Sequence, residues 1–187
     1  MTPSPTNDVL LIAATELELG GQPGLVCGVG PVEAASATAR ALAVDRPRAV
    51  LHVGLAGGRR LTPGSLVLGT EATYSDLSAQ IPVVDRVAPD PALLAVLQEA
   101  FPEAISLPIV TSAAVTESPQ GSSYELRVEA MEGFGVLRAC ELAGIPAIEV
   151  RAISNDIGEG NRALWMMRRG LEALEEALPR LLEAVRQ

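Results

Sequence analysis

Residues 130–133 (AMEG) and 149–155 (EVRAISN) decide how this chain folds. Each stretch places polar side chains beside apolar ones, at a point where a strand or a helix ends. The residues between them finish in Gly144 and Pro146, a combination typical of a helix stop. We therefore expect a helix over residues 131–143 and a buried strand over residues 147–153.

Outward from these stretches, the chain alternates between strand and helix patterns. Apolar runs predict strands over residues 9–14, 24–29, 49–53, 65–73 and 105–110. Pro31 predicts the start of an Ala-rich helix that ends near residue 44, and Asp90 with Pro91 predicts a helix that ends near residue 100. The alternation predicts an α/β fold with a central mixed sheet and helices on both faces.

Three features interrupt the regular pattern. The glycine-rich segment 54–58 (GLAGG) predicts that the third strand ends there. Pro108 predicts an edge or bulged strand, because proline cannot donate to a ladder. An amphipathic stripe over residues 171–185 predicts a last helix that Pro179 kinks or divides into two. Residues 1–7 lack the features of a signal peptide and are expected to be a disordered lead to one domain over residues 8–187.

The composition excludes several classes of protein. The net charge of −9 opposes binding to nucleic acid and to anionic membrane surfaces. No apolar run approaches the roughly 18 residues that a membrane span needs. The chain has one histidine, His52, and two cysteines, Cys27 and Cys140, which are too few and too far apart for a transition-metal site. We expect a cytoplasmic protein without a metal, with both thiols buried and free.

Polar residues at the ends of predicted elements are the candidates for chemistry. Glu16 and Glu18 follow the first strand, Glu132 lies at a helix start, and Asn155 follows a strand. Ligands of α/β sheets bind at the carboxyl ends of strands, so we expect these side chains to converge. A carboxylate that holds two hydroxyls and an amide that recognises a flat heterocycle predict a nucleoside site. Taken singly, each residue also fits a solvated loop or helix position.

The histidine, the tryptophan and two glycine-containing segments could also suggest a function, but each is explained as well by its place in the fold. His52 lies within a strand and is expected to be buried and hydrogen-bonded rather than catalytic. Trp165 is expected to pack in the core or an interface, with the lining of the pocket as the alternative. Residues 28–30 (GVG) lack the third glycine of a dinucleotide-binding motif. Residues 54–58 are not followed by the Lys-Ser or Lys-Thr of a P-loop.

Four motifs resemble those of the nucleoside phosphorylase and nucleosidase superfamily: residues 28–35 (GVGPVEAA), 54–58 (GLAGG), 128–133 (VEAMEG) and 151–155 (RAISN). Their order and spacing match over residues 9–155, most of the chain. RAISN with residues 161–165 (NRALW) is similar to the futalosine hydrolase branch. The resemblance implies a hydrolase of N-glycosyl bonds that acts on a small-molecule purine nucleoside. It also implies an enzyme that needs no cofactor and forms a homo-oligomer, a dimer or higher.

The resemblance implies roles for individual residues. Glu18 is similar to the acid that activates water, with Glu16 as the fallback. Glu132 is similar to the acid that holds the ribose hydroxyls, with Met131 packed under the sugar. Asn155 is similar to the residue that contacts purine N7, with Asp156 as its fallback. The other expected substrate contacts are Ala56, Gly57, Ser154 and Thr111, and residues 111–116 are expected to form the wall against the base.

The residue at position 155 bears on the leaving group. Relatives that release adenine carry Asp there. An Asn can donate to a 6-oxo group and accept from a protonated N7, so Asn155 favours hypoxanthine over adenine. The resemblance then implies hydrolysis of futalosine, in menaquinone biosynthesis. The alternatives are a methylthioadenosine or adenosylhomocysteine nucleosidase, a purine nucleoside phosphorylase, and a non-catalytic nucleoside-binding subunit.

Two regions bear on the nucleophile and on the substrate's tail. The first loop carries two acids and no arginine, which favours water over phosphate. Arg59 and Arg60 form either a solvated pair or a site for the benzoate carboxylate of the substrate. Residues 74–89 form a shorter segment than the one in relatives, which carries glycines and aromatic residues.

Overall fold

The computed structural model describes residues 9–77, 80–114 and 127–187. The predicted lead over residues 1–7 lies outside this part. The strands are β1 (Val9–Ala13), β2 (Leu25–Val26), β3 (Ala49–Arg59), β4 (Leu66–Tyr74), β5 (Arg86–Val87), β6 (Ile105–Thr111), β7 (Arg127–Ala130) and β8 (Ala147–Asn155). The helices are α1 (Pro31–Val44), α2 (Pro91–Ala100), α3 (Gly133–Ala143) and α4 (Met167–Arg186). Short 3₁₀ turns lie at Leu17–Leu19 and Arg162–Leu164.

The strands form one mixed sheet, as predicted, and part of that sheet closes on itself. β3 pairs in parallel with β1 and with β8, and the end of β3 pairs antiparallel with β7. β8 pairs antiparallel with β4, which pairs in parallel with β6, and β6 pairs in parallel with β7. The order β3-β8-β4-β6-β7 therefore returns to β3 as a closed ring, while β1, β2 and β5 extend from it. The sequence did not predict this closure.

β3 continues where the sequence predicted its end. It runs from residue 49 to residue 59, through the glycines of segment 54–58. The extended glycine backbone lets β3 pair with β8 on one edge and then, from Gly57 to Arg59, with β7 on the other. The glycine-rich segment is thus part of the ring and not a loop.

The prediction that Pro108 lies in an edge or bulged strand is partly wrong. β6 lies between β4 and β7, so it is not an edge. The ladder with β4 shifts register between Gly69 and Ala72, opposite residues 107–109. This irregularity accommodates the missing proline N–H in an interior strand.

Helices cover both faces of the sheet, as predicted. On one face, α2 and α4 pack on residues such as Leu11, Leu51 and Ile148. On the other face, α1 and α3 pack on alternate residues such as Ile12 and Val50. Because neighbouring residues of β1 and β3 are buried on opposite faces, these strands have continuous apolar sequences.

The bounds of α3 and α4 and the state of the two cysteines test three local predictions. α3 begins two residues later than expected, which leaves Glu132 at the junction between β7 and α3. α4 is a single helix that contains Pro179, so the alternative of two short helices is wrong. Cys27 and Cys140 are buried free thiols, as expected, and burial raises their pKa values to about 11 and about 12. None of the helices in the described ranges is long and apolar enough to cross a membrane.

Candidate active site

A cavity of about 500 Å³ opens where β1, β3, β7 and β8 end. Its floor contains residues that follow or end these strands, and the segment from Asn155 to the start of α4 covers one side. Most lining side chains are apolar. The charged lining residues in the described part of the chain are Glu18, Glu129, Glu132, Glu159 and Arg162. The cavity is therefore largely apolar and carries a few polar groups, with four acidic side chains and one basic side chain in its described lining, a composition typical of a small-molecule site.

Glu18 is held at the cavity by the turn that follows β1. Its side chain is buried, and its Oε2 accepts hydrogen bonds from the Thr15 N–H at 3.0 Å and the Thr15 hydroxyl at 2.7 Å. Its Oε1 accepts from the Leu55 N–H of β3 at 2.9 Å. Three donors thus fix the carboxylate where it faces the cavity. Glu16 is exposed and is absent from the described lining, so the geometry separates the two acids of the pair.

Gly54 makes room for this arrangement. A Cβ at residue 54 would lie 2.8 Å from Glu18 Oε1 and would collide with the guanidinium of Arg151. Any side chain there would displace one of these two groups. The glycine in β3 therefore permits the close approach of a buried carboxylate and a buried guanidinium.

Glu132 occupies the junction between β7 and α3. It is buried, its Oε1 accepts from the Gly30 N–H at 3.1 Å, and its Oε2 accepts from Arg151 Nη2 at 3.3 Å. Gly30 has a φ of 97°, a left-handed conformation that glycine adopts at little cost, and this turns its N–H toward the carboxylate. Met131 precedes Glu132 and also lines the cavity.

Asn155 ends β8 on the same cavity. The Ser154 hydroxyl donates to Asn155 Oδ1 at 2.7 Å, and Asn155 Nδ2 donates to the Asp156 carbonyl at 3.0 Å. These contacts orient the amide and leave one N–H and one lone pair for a ligand. Asp156 is exposed and is not among the described lining residues, so its side chain does not take the place of the amide.

Beneath the cavity lies a buried ionic cluster that sequence reasoning missed. Arg151 is 0% exposed and donates from Nε to Glu149 Oε1 at 2.7 Å, besides its contact with Glu132. Burial opposes its charge, but the carboxylates of Glu149, Glu132 and Glu18 raise the pKa of Arg151 above its ordinary value. Burial raises the pKa of Glu149, whose Oε2 has no hydrogen-bond partner among the described residues. Arg151 is therefore the fixed positive charge that holds the acids in place.

His52 completes the cluster, and its contacts determine its tautomer. Nδ1 lies 3.1 Å from the Ile12 carbonyl, which can only accept, so Nδ1 carries the proton. Nε2 then accepts from Arg151 Nη2 at 2.6 Å. Burial and the neighbouring Arg151 lower the pKa of His52 well below 6.5. The expectation of a buried, hydrogen-bonded histidine is confirmed.

The remaining predicted site residues are divided between the cavity and its surroundings. Ala56, Gly57 and Ser154 line the cavity. Thr111 is fully buried, does not line the described cavity, and accepts a hydrogen bond from the Phe134 N–H at 2.8 Å. Its hydroxyl therefore positions the start of α3 and is not offered to a ligand. Of the expected base wall, Ala114 lines the cavity, and residues 115 and 116 lie outside the described residues.

For two other groups the structure distinguishes between the alternatives that the sequence left open. Arg59 and Arg60 are not among the described residues that line the cavity, whereas Arg162 is. Trp165 lines the cavity, which is the second of the two places expected for it. The available signal was local: Asn161 caps a 3₁₀ turn that presents Arg162 and Trp165 together, directly before the last helix.

Comparison with known proteins identifies the family of this chain. The family model described as the phosphorylase superfamily matches residues 18–186. The chain belongs to this superfamily. Relatives of this chain include the futalosine hydrolases of Streptomyces coelicolor and Thermus thermophilus. The first is 35% identical over 84% of this chain and 77% of the relative, and the second is 31% identical over 84% and 80%.

A solved structure of similar fold is the 5'-methylthioadenosine/S-adenosylhomocysteine nucleosidase of Neisseria meningitidis in complex with methylthio-immucillin-A. It superposes on this superfamily member with a TM-score of 0.80 and 21% identity, over 94% of this chain and 98% of that one. At this identity the likeness establishes the fold, and the sequence relatives carry the closer relationship.

The neutral state of His52 leads to a prediction about acid stability. Because its folded pKa is depressed, its contribution to stability is present above the unfolded value of 6.5 and is lost as the pH falls below it. His52→Gln removes the titrating group. Between pH 6.5 and pH 5, the wild type should therefore lose unfolding free energy faster than His52→Gln, by up to about 1.4 kcal/mol per pH unit. Urea unfolding across this range measures the difference, and parallel pH curves would contradict the assignment.

Proposed function

We propose that this chain hydrolyses the N-glycosidic bond of futalosine and releases hypoxanthine. The observation that carries the proposal is the convergence of Glu18, Glu132 and Asn155 on one cavity. Two futalosine hydrolases among the relatives, each more than 30% identical, support the choice of substrate. We propose further that the protein is cytoplasmic, needs no cofactor and forms a homo-oligomer.

Glu132 is proposed to hold the ribose. Its side chain lines the cavity at the junction of β7 and α3, and its two oxygens accept one hydrogen bond each, from the Gly30 N–H and from Arg151. The remaining lone pairs can accept hydrogen bonds from the two ribose hydroxyls. These hydrogen bonds strengthen as positive charge develops on the sugar in an oxocarbenium-like transition state, which stabilises that state. Met131 beside it supplies apolar surface under the sugar.

Glu18 is proposed to take the proton from the attacking water. Its three hydrogen bonds orient the carboxylate and keep it at the cavity surface. A positioned carboxylate accepts the water proton as the new C–O bond forms. The electron pair of the C–N bond leaves with the purine, whose N7 takes a proton from solvent water as that bond breaks. Glu18 afterwards returns to solvent the proton that it took from the attacking water.

Asn155 is proposed to recognise the purine. The contacts with Ser154 and Asp156 leave its amide one N–H and one lone pair. The N–H can donate to a 6-oxo group, and the oxygen can accept from protonated N7, which suits hypoxanthine. A 6-amino purine would place two donors against this pair and leave polar groups unmatched.

The charge of the cavity supports water over phosphate as the nucleophile. Four of the five charged side chains in its described lining are carboxylates, and the fifth, Arg162, belongs to the 3₁₀ turn after β8 and not to the part with Glu18 and Glu132. The guanidinium of Arg151 is already engaged by Glu149, Glu132 and His52. A phosphate dianion would meet repulsion from these acids, whereas water would not. The fold shared with the Neisseria nucleosidase favours a second candidate, methylthioadenosine or adenosylhomocysteine hydrolysis, and Asn155 opposes it.

Product analysis tests these proposals together. Purified protein is incubated with futalosine, inosine, methylthioadenosine and adenosylhomocysteine, each with and without phosphate, and released bases are separated by chromatography. Hypoxanthine from futalosine at a rate independent of phosphate is expected. Adenine from the thionucleosides would establish the second candidate, phosphate dependence would indicate a phosphorylase, and no base from any substrate would favour a nucleoside-binding subunit.

Replacing the amide of Asn155 is expected to change which purine base the protein releases. Asn155→Asp is expected to lower kcat/KM for futalosine about 10- to 100-fold, because an unmatched buried polar group costs about 1–3 kcal/mol. It should raise the turnover of the 6-amino analogue relative to futalosine. The ratio of the two kcat/KM values is the measurement. The exposed neighbour provides the control, since Asp156→Asn should leave that ratio unchanged; an unchanged ratio in Asn155→Asp would refute the role of the amide.

A further inference from the structure

The part of the cavity lining that follows β8 differs chemically from the part that holds Glu18 and Glu132, because it carries a basic side chain as well as the acid Glu159. It is formed by the 3₁₀ turn Arg162–Leu164, by Trp165, and by Met167 and Leu171 of α4. Arg162 is the one basic side chain among the described residues that line the cavity. An anionic group that enters this cavity therefore has a single favourable place to bind.

The local structure fixes the two side chains relative to each other. Asn161 Oδ1 accepts from the Ala163 N–H at 3.1 Å and caps the turn. Trp165 Nε1 donates to the Glu159 carbonyl at 2.8 Å, which holds the indole ring in place. Arg162 Cζ lies 5.6 Å from the centre of the Trp165 ring, within the range of a cation–π contact.

This pair is also tied to the proposed base-recognition residues. The Met166 N–H, next to Trp165, donates to the Ser154 carbonyl at 2.7 Å. The turn is therefore anchored to the end of β8, directly beside Asn155. A ligand that occupies the cavity along its length would contact both Asn155 and this turn.

Arg162 retains the capacity to bind an anion. Its side chain is exposed and, within the described residues, it contacts the indole ring and forms no ion pair. A guanidinium binds a carboxylate through two parallel hydrogen bonds, and it is more weakly hydrated than an ammonium. The fixed indole and the apolar side chains of Met167 and Leu171 offer a surface for an aromatic ring next to that carboxylate.

We propose that Arg162 and Trp165 form a subsite for an aromatic carboxylate carried on the sugar end of the substrate. The ring packs on Trp165, and the carboxylate accepts hydrogen bonds from Arg162. This inference rests on the proposed function, which supplies a nucleoside with an aromatic tail. Arg162 takes the role considered for Arg59 and Arg60, because it lines the cavity and they are not among the described lining residues. The subsite makes Arg162 a residue that distinguishes a carboxylated nucleoside from a plain one.

The chain contains a built-in probe, because Trp165 is its only tryptophan. The full-length protein is titrated with 3-acetylbenzoate and with the neutral ring acetophenone, and tryptophan fluorescence is followed. The carboxylate is expected to give a saturable change at a concentration about 10-fold or more below that for the neutral ring. Arg162→Met should abolish this preference. Arg168→Met, which changes an arginine that is 91% exposed and lies within α4, should keep it.

Kinetics give a second readout. Arg162→Met is expected to raise KM for futalosine about 10- to 100-fold with a much smaller change in kcat, since the lost contact is made equally in the ground and transition states. The ratio of kcat/KM for futalosine to that for inosine should fall accordingly, and Arg168→Met should not change it.

The two readouts separate this inference from the proposed function. If the wild type releases no hypoxanthine but the carboxylate preference depends on Arg162, the reaction was assigned wrongly and the subsite stands. If futalosine is hydrolysed but Arg162→Met leaves both the titration and the kinetic ratio unchanged, the subsite is overturned. Equal effects of the charged and neutral rings, or no effect of either, would also overturn it.

Discussion

Replacing Glu18 with Gln is expected to lower kcat for hydrolysis by about 10²- to 10⁴-fold, the range for loss of a general base. Gln keeps the size of the side chain and can still accept from the Leu55 N–H or from Thr15, so the turn after β1 should persist. It cannot take a proton from water. Steady-state kinetics with futalosine gives kcat, and equilibrium binding of the substrate should remain within a few-fold of the wild type.

The second acid of the same turn is the matched control. Glu16 is exposed and makes no contact with the described cavity, so Glu16→Gln should retain wild-type kcat. The opposite pattern, with activity lost on changing Glu16 and kept on changing Glu18, would reverse the assignment of the two acids. Binding that persists in every variant, without turnover in the wild type, would instead indicate a binding subunit.

The sequence predicted the layers of the fold well because its elements have strong local signals. Three helix boundaries each have a local cause. α1 begins at Pro31, Asp90 caps the start of α2, and Gly144 caps the end of α3. Closure of the sheet depends on which strands pair, and that is not encoded locally. One edge of β3 pairs first with β1 and then with β7, while the other edge pairs with β8, and Gly57 pairs with both β7 and β8. As a sequence feature, the glycine-rich segment that permits this is equally typical of a turn.

The acids and the amide of the cavity could be predicted because they lie at element ends, where polar residues beside apolar ones are noticeable. The buried cluster could not, because it depends on register. His52 pairs with Glu149, and Gly54 pairs with Arg151, on adjacent strands β3 and β8. Since alternate residues share a face, this register places the histidine, the acid and the arginine together, with a glycine opposite the guanidinium.

The same register explains why Arg151→Met should have the largest effect on stability. The substitution leaves Glu149 and Glu132 buried without their cation, and removing one partner of a buried ion pair costs about 3–5 kcal/mol. Activity should fall as well, because Glu132 Oε2 loses the donor that positions it. Urea unfolding measures the free energy of unfolding, and Arg168→Met on the surface of α4 is the matched control, with a change of about 0.5 kcal/mol or less.

A double variant separates the two consequences. Glu149→Gln in the Arg151→Met background removes the unpaired acid, so part of the lost stability should return, while activity stays low because Glu132 still lacks its donor. The pH dependence has a defined sign. The folded pKa of Glu149 is raised, so the protonated form stabilises the fold at low pH and that contribution is lost as the pH rises.

Without Arg151 the pKa of Glu149 should rise further, since the guanidinium lowers it in the wild type. The stability deficit of Arg151→Met should therefore be larger at pH 8 than at pH 5, and Glu149→Gln should remove that difference. A deficit independent of pH, or a double variant no more stable than Arg151→Met, would mean that the arginine acts through packing and not through charge.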